Sequence, residues 1–263
     1  MKPRDYTFLI SGGCSGLGLA SARELHSAGA HVSLLNLNVE SGLSIVKELG
    51  DRAKFFKTDV VDTSSIMKAI EGTVKWTKQT RKPFAGVLAA AGVAAPAKIY
   101  DGRKDLPVDM SQIDFVMDIN VRGTIDLIRQ SVPHLAKNTP LTADGERGVL
   151  VLVSSSAAFD GQPGQVAYAA SKGAIASLTL PLARDLARYG IRAVTIAPSL
   201  FESNMAKKLS EKARTSLLRV MEFPARPGNP QEFASLVLEC VTNQMLNGTV
   251  LRLDGAMRMP SRM

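Results

Sequence analysis

The chain has 263 residues, 45% of them hydrophobic, enough to enclose one sizeable core. Lysine and arginine outnumber aspartate and glutamate by 32 to 24, a net charge of +8, but the basic residues are scattered without a run of five or six, which reads as a solvated surface rather than a nucleic-acid stripe. The two distant cysteines (Cys14, Cys240) and three histidines (His26, His31, His134) show neither disulfide-framework nor metal-ligand spacing, and no apolar run reaches membrane-spanning length.

An apolar strand is predicted already at 6–11 (YTFLIS), so no signal or transit peptide is expected ahead of it. Further strands are predicted at 31–37, 53–58, 84–92, 148–156, 191–198 and 248–256. Helical patterns fall between them at 16–28, 40–49, 63–80, 111–137, 166–188 and 230–244. Apolar strands alternating with helices predict an α/β, Rossmann-type doubly wound sheet of about seven parallel strands, helices on both faces, in a single domain over 1–263. The segments 93–109 and 138–148 read as loops, and 199–229 is long enough to form a substrate lid.

Where the first strand gives way to a helix, the sequence LISGGCSGLGLA places Gly12, Gly16 and Gly18. A tight turn needs residues without a Cβ clash. A pyrophosphate needs close backbone approach and the amides of a helix N-terminus. Ser11, Gly12, Ser15, Gly16, Leu17 and Gly18 are therefore candidate cofactor contacts. Asn36, ending the second strand, falls where such folds read the adenosine ribose, although a plain turn residue fits the position as well. Asparagine keeps hydrogen-bonding capacity without a carboxylate's repulsion of a 2′-phosphate. No basic residue in 12–19 or 35–40 stands ready for that phosphate, so NAD is expected in preference to NADP. Asp59 and Val60 follow the third strand, and Ala91 and Gly92 end the fourth with small residues that leave space for a ribose or ring.

Together SGGCSGLG, DVVD (59–62), AAAG (89–92), DIN (118–120), VSSS (153–156), YAASK (168–172) and APSLF (197–201) make the chain resemble the short-chain dehydrogenase/reductase family over nearly its whole length. The resemblance implies an enzyme that interconverts a secondary alcohol and a ketone. It selects Ser155, thirteen residues before Tyr168, as the serine that holds the substrate oxygen. Tyr168 and Lys172, at i and i+4 on one helix face, take the roles of acid–base and of the cation that favours the phenolate and binds the nicotinamide ribose. Asn120 is implied to support a water linked to the lysine, and Pro198 to contact the cofactor. Two departures stand out: Pro198-Ser199 where the family often has Pro-Gly, and Asn36 where the nearest branch carries aspartate.

That branch acts on 3-hydroxyacyl-CoA, which makes such a substrate the expectation. Steroid, terpenoid or polyketide alcohols and ketones are the alternative, and an RNA-processing scaffold a third reading. Gln162, Gln165, Leu200, Phe201 and Met205 are the candidate substrate contacts, and Lys98, Arg103 and Lys104 could meet CoA phosphates. The family resemblance also implies a homotetramer. The final Ser261-Arg262-Met263 resembles a tripeptide read by the peroxisomal import receptor, so a peroxisomal or cytoplasmic location is expected.

Overall fold

Alternating apolar side chains sort the molecule into layers. In β1 (Thr7–Ser11) Phe8 and Ile10 enter one apolar cluster and Leu9 the other, because successive strand side chains point to opposite faces. Val32 and Leu34 against Leu35 repeat the pattern in β2 (His31–Asn36). A sheet apolar on both faces needs cover on both. The computed structural model, which describes residues 1–203 and 211–259, shows that cover. The first cluster is closed by α1 (Gly16–Ser27), α2 (Val39–Leu49) and α8 (Pro230–Thr242). The second is closed by α3 (Thr63–Thr80), α5 (Gly123–Leu135) and α6 (Val166–Leu186).

The remaining strands are β3 (Ala53–Lys57), β4 (Phe84–Ala89), β7 (Gly148–Val153), β8 (Ile191–Pro198) and β9 (Val250–Leu253). All pair in parallel in the order β3-β2-β1-β4-β7-β8-β9, as the alternation of elements predicts. Strand order reverses between β1 and β4, and the crevice beyond the carboxyl ends of such a pair is where this architecture takes ligands. At the start of β8, next to the edge strand β9, the buried Arg192 donates to the carbonyls of Cys240, Val241 and Leu246 and pairs with Glu146 at 2.7 Å. It thereby satisfies carbonyls at the end of α8 that the helix itself leaves open.

Two segments differ from expectation, and a third gains detail. The 93–109 loop contains an antiparallel hairpin, β5 (Tyr100–Asp101) with β6 (Leu106–Pro107). The helix expected over 111–137 is α4 (Met110–Met117), a π-helical turn at Asp118–Arg122, then α5. In the expected lid, α7 (Glu211–Leu218) contributes Leu217 to a small buried cluster with Leu200, Met221 and Met257.

Candidate active site

The ends of β1 and β4 are fastened together: the Ser11 hydroxyl accepts the Ala91 N–H at 3.2 Å. Gly12 follows with φ +66°, and a Cβ there would lie 3.0 Å from both Cα and N of Ala91. A Cβ on Gly18 would come within 2.4 Å of the Gly12 carbonyl oxygen. The turn can therefore close only as glycine, and it sets the start of α1 against the strand ends. Ser15 is the N-cap of α1 but its side chain caps no amide. The amides of Gly16, Leu17 and Gly18, which a helix's first turn leaves without an internal acceptor, are left for a ligand. These observations fit a dinucleotide's phosphates. Gly13, which the spacing argument passed over, is held too: a Cβ would meet the Ile10 carbonyl at 2.9 Å.

Asn36 ends β2, partly exposed, and its Oδ1 accepts the Asn38 N–H at 3.1 Å. One side-chain acceptor is thus engaged in the turn, and the amide NH₂ remains available to a ribose oxygen. The β2–β3 register sets Lys57, exposed, across from Asn36. A scan of the two local segments could not find that cation, because it arrives from the neighbouring strand. Asp59 Oδ1 accepts the Val61 N–H at 3.0 Å. The Val60 carbonyl lies 2.7 Å from where a Cβ on Gly123 would sit, so the end of the π-helical turn passes tight against this loop.

Around the end of β7 the three serines have different surroundings. Ser154 donates to the Lys172 carbonyl at 2.7 Å. Ser156 is fully buried. The Ser155 hydroxyl accepts the Ala157 N–H at 3.1 Å and lies close enough to Tyr168 to oppose the rise of its phenol pKa. Tyr168 stands on the first turn of α6, with the Lys172 Nζ 5.8 Å from its ring centroid. Lys172 is buried and donates to the Val153 carbonyl at 2.9 Å. Burial without a carboxylate partner brings its ammonium down to about 8. Burial is the largest influence on Tyr168 and raises the phenol above its ordinary value, with the nearby Ser155 hydroxyl opposing.

Asn120 lies in the π-helical turn, almost fully buried. Its Oδ1 accepts the Val93 N–H at 2.8 Å, and its Nδ2 donates to the Val93 carbonyl at 2.9 Å and to Ser171 Oγ at 3.0 Å. A Cβ on Gly92 would stand 3.1 Å from Asn120 Oδ1 and 3.4 Å from Lys172 Nζ. Gly92 is therefore the point where the asparagine, the lysine and the end of β4 converge.

The substrate-side residues divide. The Gln162 N–H donates to Gln165 Oε1 at 3.0 Å in the approach to Tyr168, and the Gln162 amide nitrogen is buried without a protein partner among the described residues. Leu200 and Phe201 are not brought to Ser155 and Tyr168. Leu200 packs with Leu217, Met221 and Met257, while Phe201 packs edge-on against Phe233 at 6.2 Å with Gly228 beneath its ring. Both act here as packing. Pro198 closes β8 beside Leu253, and Lys98, Arg103 and Lys104 are exposed on the hairpin segment. Met205 and Ser261-Arg262-Met263 lie outside the described residues.

A doubly wound parallel sheet with a glycine turn at its switch point is the architecture of dinucleotide-binding proteins. The short chain dehydrogenase family matches residues 6–214, and the chain belongs to that family of enzymes. It is 43% identical over 255 residues to a 3-hydroxyacyl-CoA dehydrogenase type-2 of Drosophila melanogaster, covering 95% of this chain and 96% of the relative. It is 30% identical to an ipsdienol dehydrogenase of Ips pini, covering 98% and 99%. The crystal structure of a 3-hydroxyacyl-CoA dehydrogenase type-2 from Mycobacterium avium superposes with a TM-score of 0.89 at 36% identity, covering 97% of each chain.

Proposed function

We propose that the protein is an NAD(H)-dependent oxidoreductase that interconverts a 3-hydroxyacyl-CoA-like secondary alcohol and its ketone. The observation that carries the chemistry is the grouping of Ser155 with Tyr168, and of Tyr168 with Lys172, whose Nζ stands with Asn120 beside Gly92, next to the glycine turn at the β1–β4 switch point. A nicotinamide coenzyme held here would supply or accept the hydride. Gly12, Gly16, Leu17 and Gly18 hold its phosphates, with Ser11 and Ser15 flanking them. Asn36 meets the adenosine ribose. Asp59, Val60, Ala91, Gly92 and Pro198 complete the walls.

The chain's own residues then manage one proton and one oxygen. Ser155 hydrogen-bonds the substrate oxygen and fixes its distance from Tyr168. A phenol held above its ordinary pKa keeps its proton at neutral pH, which suits donation to a developing alkoxide in the reducing direction. Lys172, with an ammonium near 8, can carry charge or pass a proton close to physiological pH. Asn120 fixes the Val93 backbone and the start of α6 around it.

The acyl-CoA reading is supported by the similarity to the 3-hydroxyacyl-CoA dehydrogenases type-2 of Drosophila and Mycobacterium. A second reading, a steroid, terpenoid or polyketide alcohol or ketone, is supported only for the terpenoid class, by the ipsdienol dehydrogenase relative. The test follows NADH absorbance with acetoacetyl-CoA against terpenoid and steroid ketones. Turnover of acetoacetyl-CoA supports the first reading, and turnover of the others without it supports the second. The same proposal takes the enzyme as a homotetramer, addressed to peroxisomes by its last three residues or otherwise cytoplasmic.

A further inference from the structure

The catalytic serine and tyrosine are joined by residues 156–167, and their relative position depends on how that connection is held. A 3₁₀ turn at Ser156–Ala158 starts it, and the Gln162–Gln165 turn delivers it to α6. Between them Phe159 and Asp160 reach across to the last strand. The Arg252 guanidinium, in β9, pairs with Asp160 at 2.5 Å and with Asp254 at 2.6 Å, lies 5.1 Å from the Phe159 ring centroid, and donates to the Met257 carbonyl. Arg258 adds a contact to Asp254 at 3.2 Å. Beyond Asp254 the chain turns through two positive-φ residues, Gly255 and Ala256, and drives the fully buried Met257 against Leu200, Leu217 and Met221. One guanidinium therefore ties together the Ser155–Tyr168 connection, the end of the sheet and the segment that packs on Leu200, Leu217 and Met221.

We infer that Arg252 is a positioning residue for the reaction: through Asp160 it holds the connection between Ser155 and Tyr168, and through Asp254 and Met257 it couples that connection to the packing of Leu200, Leu217 and Met221. This rests on the proposed roles of Ser155 and Tyr168. The Arg252 and Asp160 side chains are 24% and 20% exposed, so the pair stays in partial contact with water and adds little to global stability. Its effect is on geometry, and small displacements of reacting groups cost large factors in rate.

The experiment compares the full-length wild type with Arg252→Met, which keeps much of the apolar stem, Asp160→Ala, the double variant, Arg252→Lys and, as reference, Ser155→Ala. Turnover is measured with acetoacetyl-CoA and NADH, and NADH affinity by fluorescence titration. Each single variant should lose about tenfold in kcat while NADH affinity stays within about twofold. The double variant should lose no more than Arg252→Met alone, since the Arg252–Asp160 contact is already gone in that variant. Arg252→Lys should recover part of the loss. Undiminished kcat in both singles, losses that multiply in the double variant, or a parallel fall in NADH affinity would each overturn the assignment. If Arg252→Met does not fold, Asp160→Ala, which leaves the Arg252–Asp254 pair in place, decides the matter. Normal turnover in Ser155→Ala would instead sink the site reading on which the inference rests.

Discussion

Replacing Lys172 by methionine should make the protein more stable while abolishing most of its activity. The ammonium is buried and brought from 10.5 to about 8 by desolvation alone, so the folded state disfavours the charge that the unfolded chain carries freely. At 1.36 kcal/mol per pKa unit, this corresponds to a penalty of about 3 kcal/mol at pH 7. The methionine variant removes that penalty but also the 2.9 Å hydrogen bond from the ammonium to the Val153 carbonyl, a charge-assisted contact whose loss costs about 2 kcal/mol. A net gain of about 1 kcal/mol remains, roughly 2–4 °C in midpoint for a chain of this size. The sign of the pH dependence follows. The penalty is fully present below pH 8, where both states hold the proton. It shrinks between pH 8 and 10.5, where the unfolded chain binds more protons than the folded one, and it is gone above. Thermal unfolding of wild type and Lys172→Met at pH 7, 9 and 10.5 should show the variant's advantage fading with rising pH. A variant less stable than wild type at pH 7, with a gap independent of pH, would refute the idea that burial strains this lysine.

Tyr168→Phe should leave folding and coenzyme binding intact and lower turnover by about 10²–10⁴. Ser155→Ala should also impair turnover. Ser154→Ala and Ser156→Ala should do so much less, and equal losses across the three serines would show that Ser155 has no special role. Asn36→Asp would keep the contact to the Asn38 N–H and add a charged acceptor. NAD should then bind several-fold to about tenfold tighter and NADP more weakly, while constants unchanged for both coenzymes would remove Asn36 from the ribose. If wild type binds NADP appreciably, Lys57→Gln should abolish that binding, since Lys57 is the cation that sheet register places opposite Asn36. A fluorescent protein ending in Ser-Arg-Met should enter peroxisomes, and a diffuse signal would remove that address.

The sheet was legible because each strand is an apolar run bounded by helical periodicity, and the glycine turn because its spacing matches a steric need that a Cβ violates. What stayed hidden depends on tertiary pairing. Lys57 meets Asn36 only through strand register. Asn120 secures Val93 through backbone groups, and no side-chain pattern encodes those. The apolar residues Leu200 and Phe201 look alike in sequence whether they line a pocket or pack beneath it, and here they pack. The β5–β6 hairpin escaped because two-residue strands flanked by charged residues carry no alternation.

The π-helical turn at Asp118–Arg122 has a consequence for chain length. Closing a ring with one residue more than an α-helix uses offsets the faces of α4 and α5 by about 100°, the angle each helical residue contributes. The Gly123 N–H reaches back to the Asp118 carbonyl across this wider ring, and the buried Asn120 sits inside it. Deleting any one residue here would restore an uninterrupted α-helix, keep every apolar residue of α5 in sequence, and still swing either the asparagine away from Val93 or the whole of α5 off its core face. A residue count in this segment is thus a constraint as firm as a side-chain identity, and a gap that falls here when sequences are aligned marks a rebuilt junction between α4 and α5.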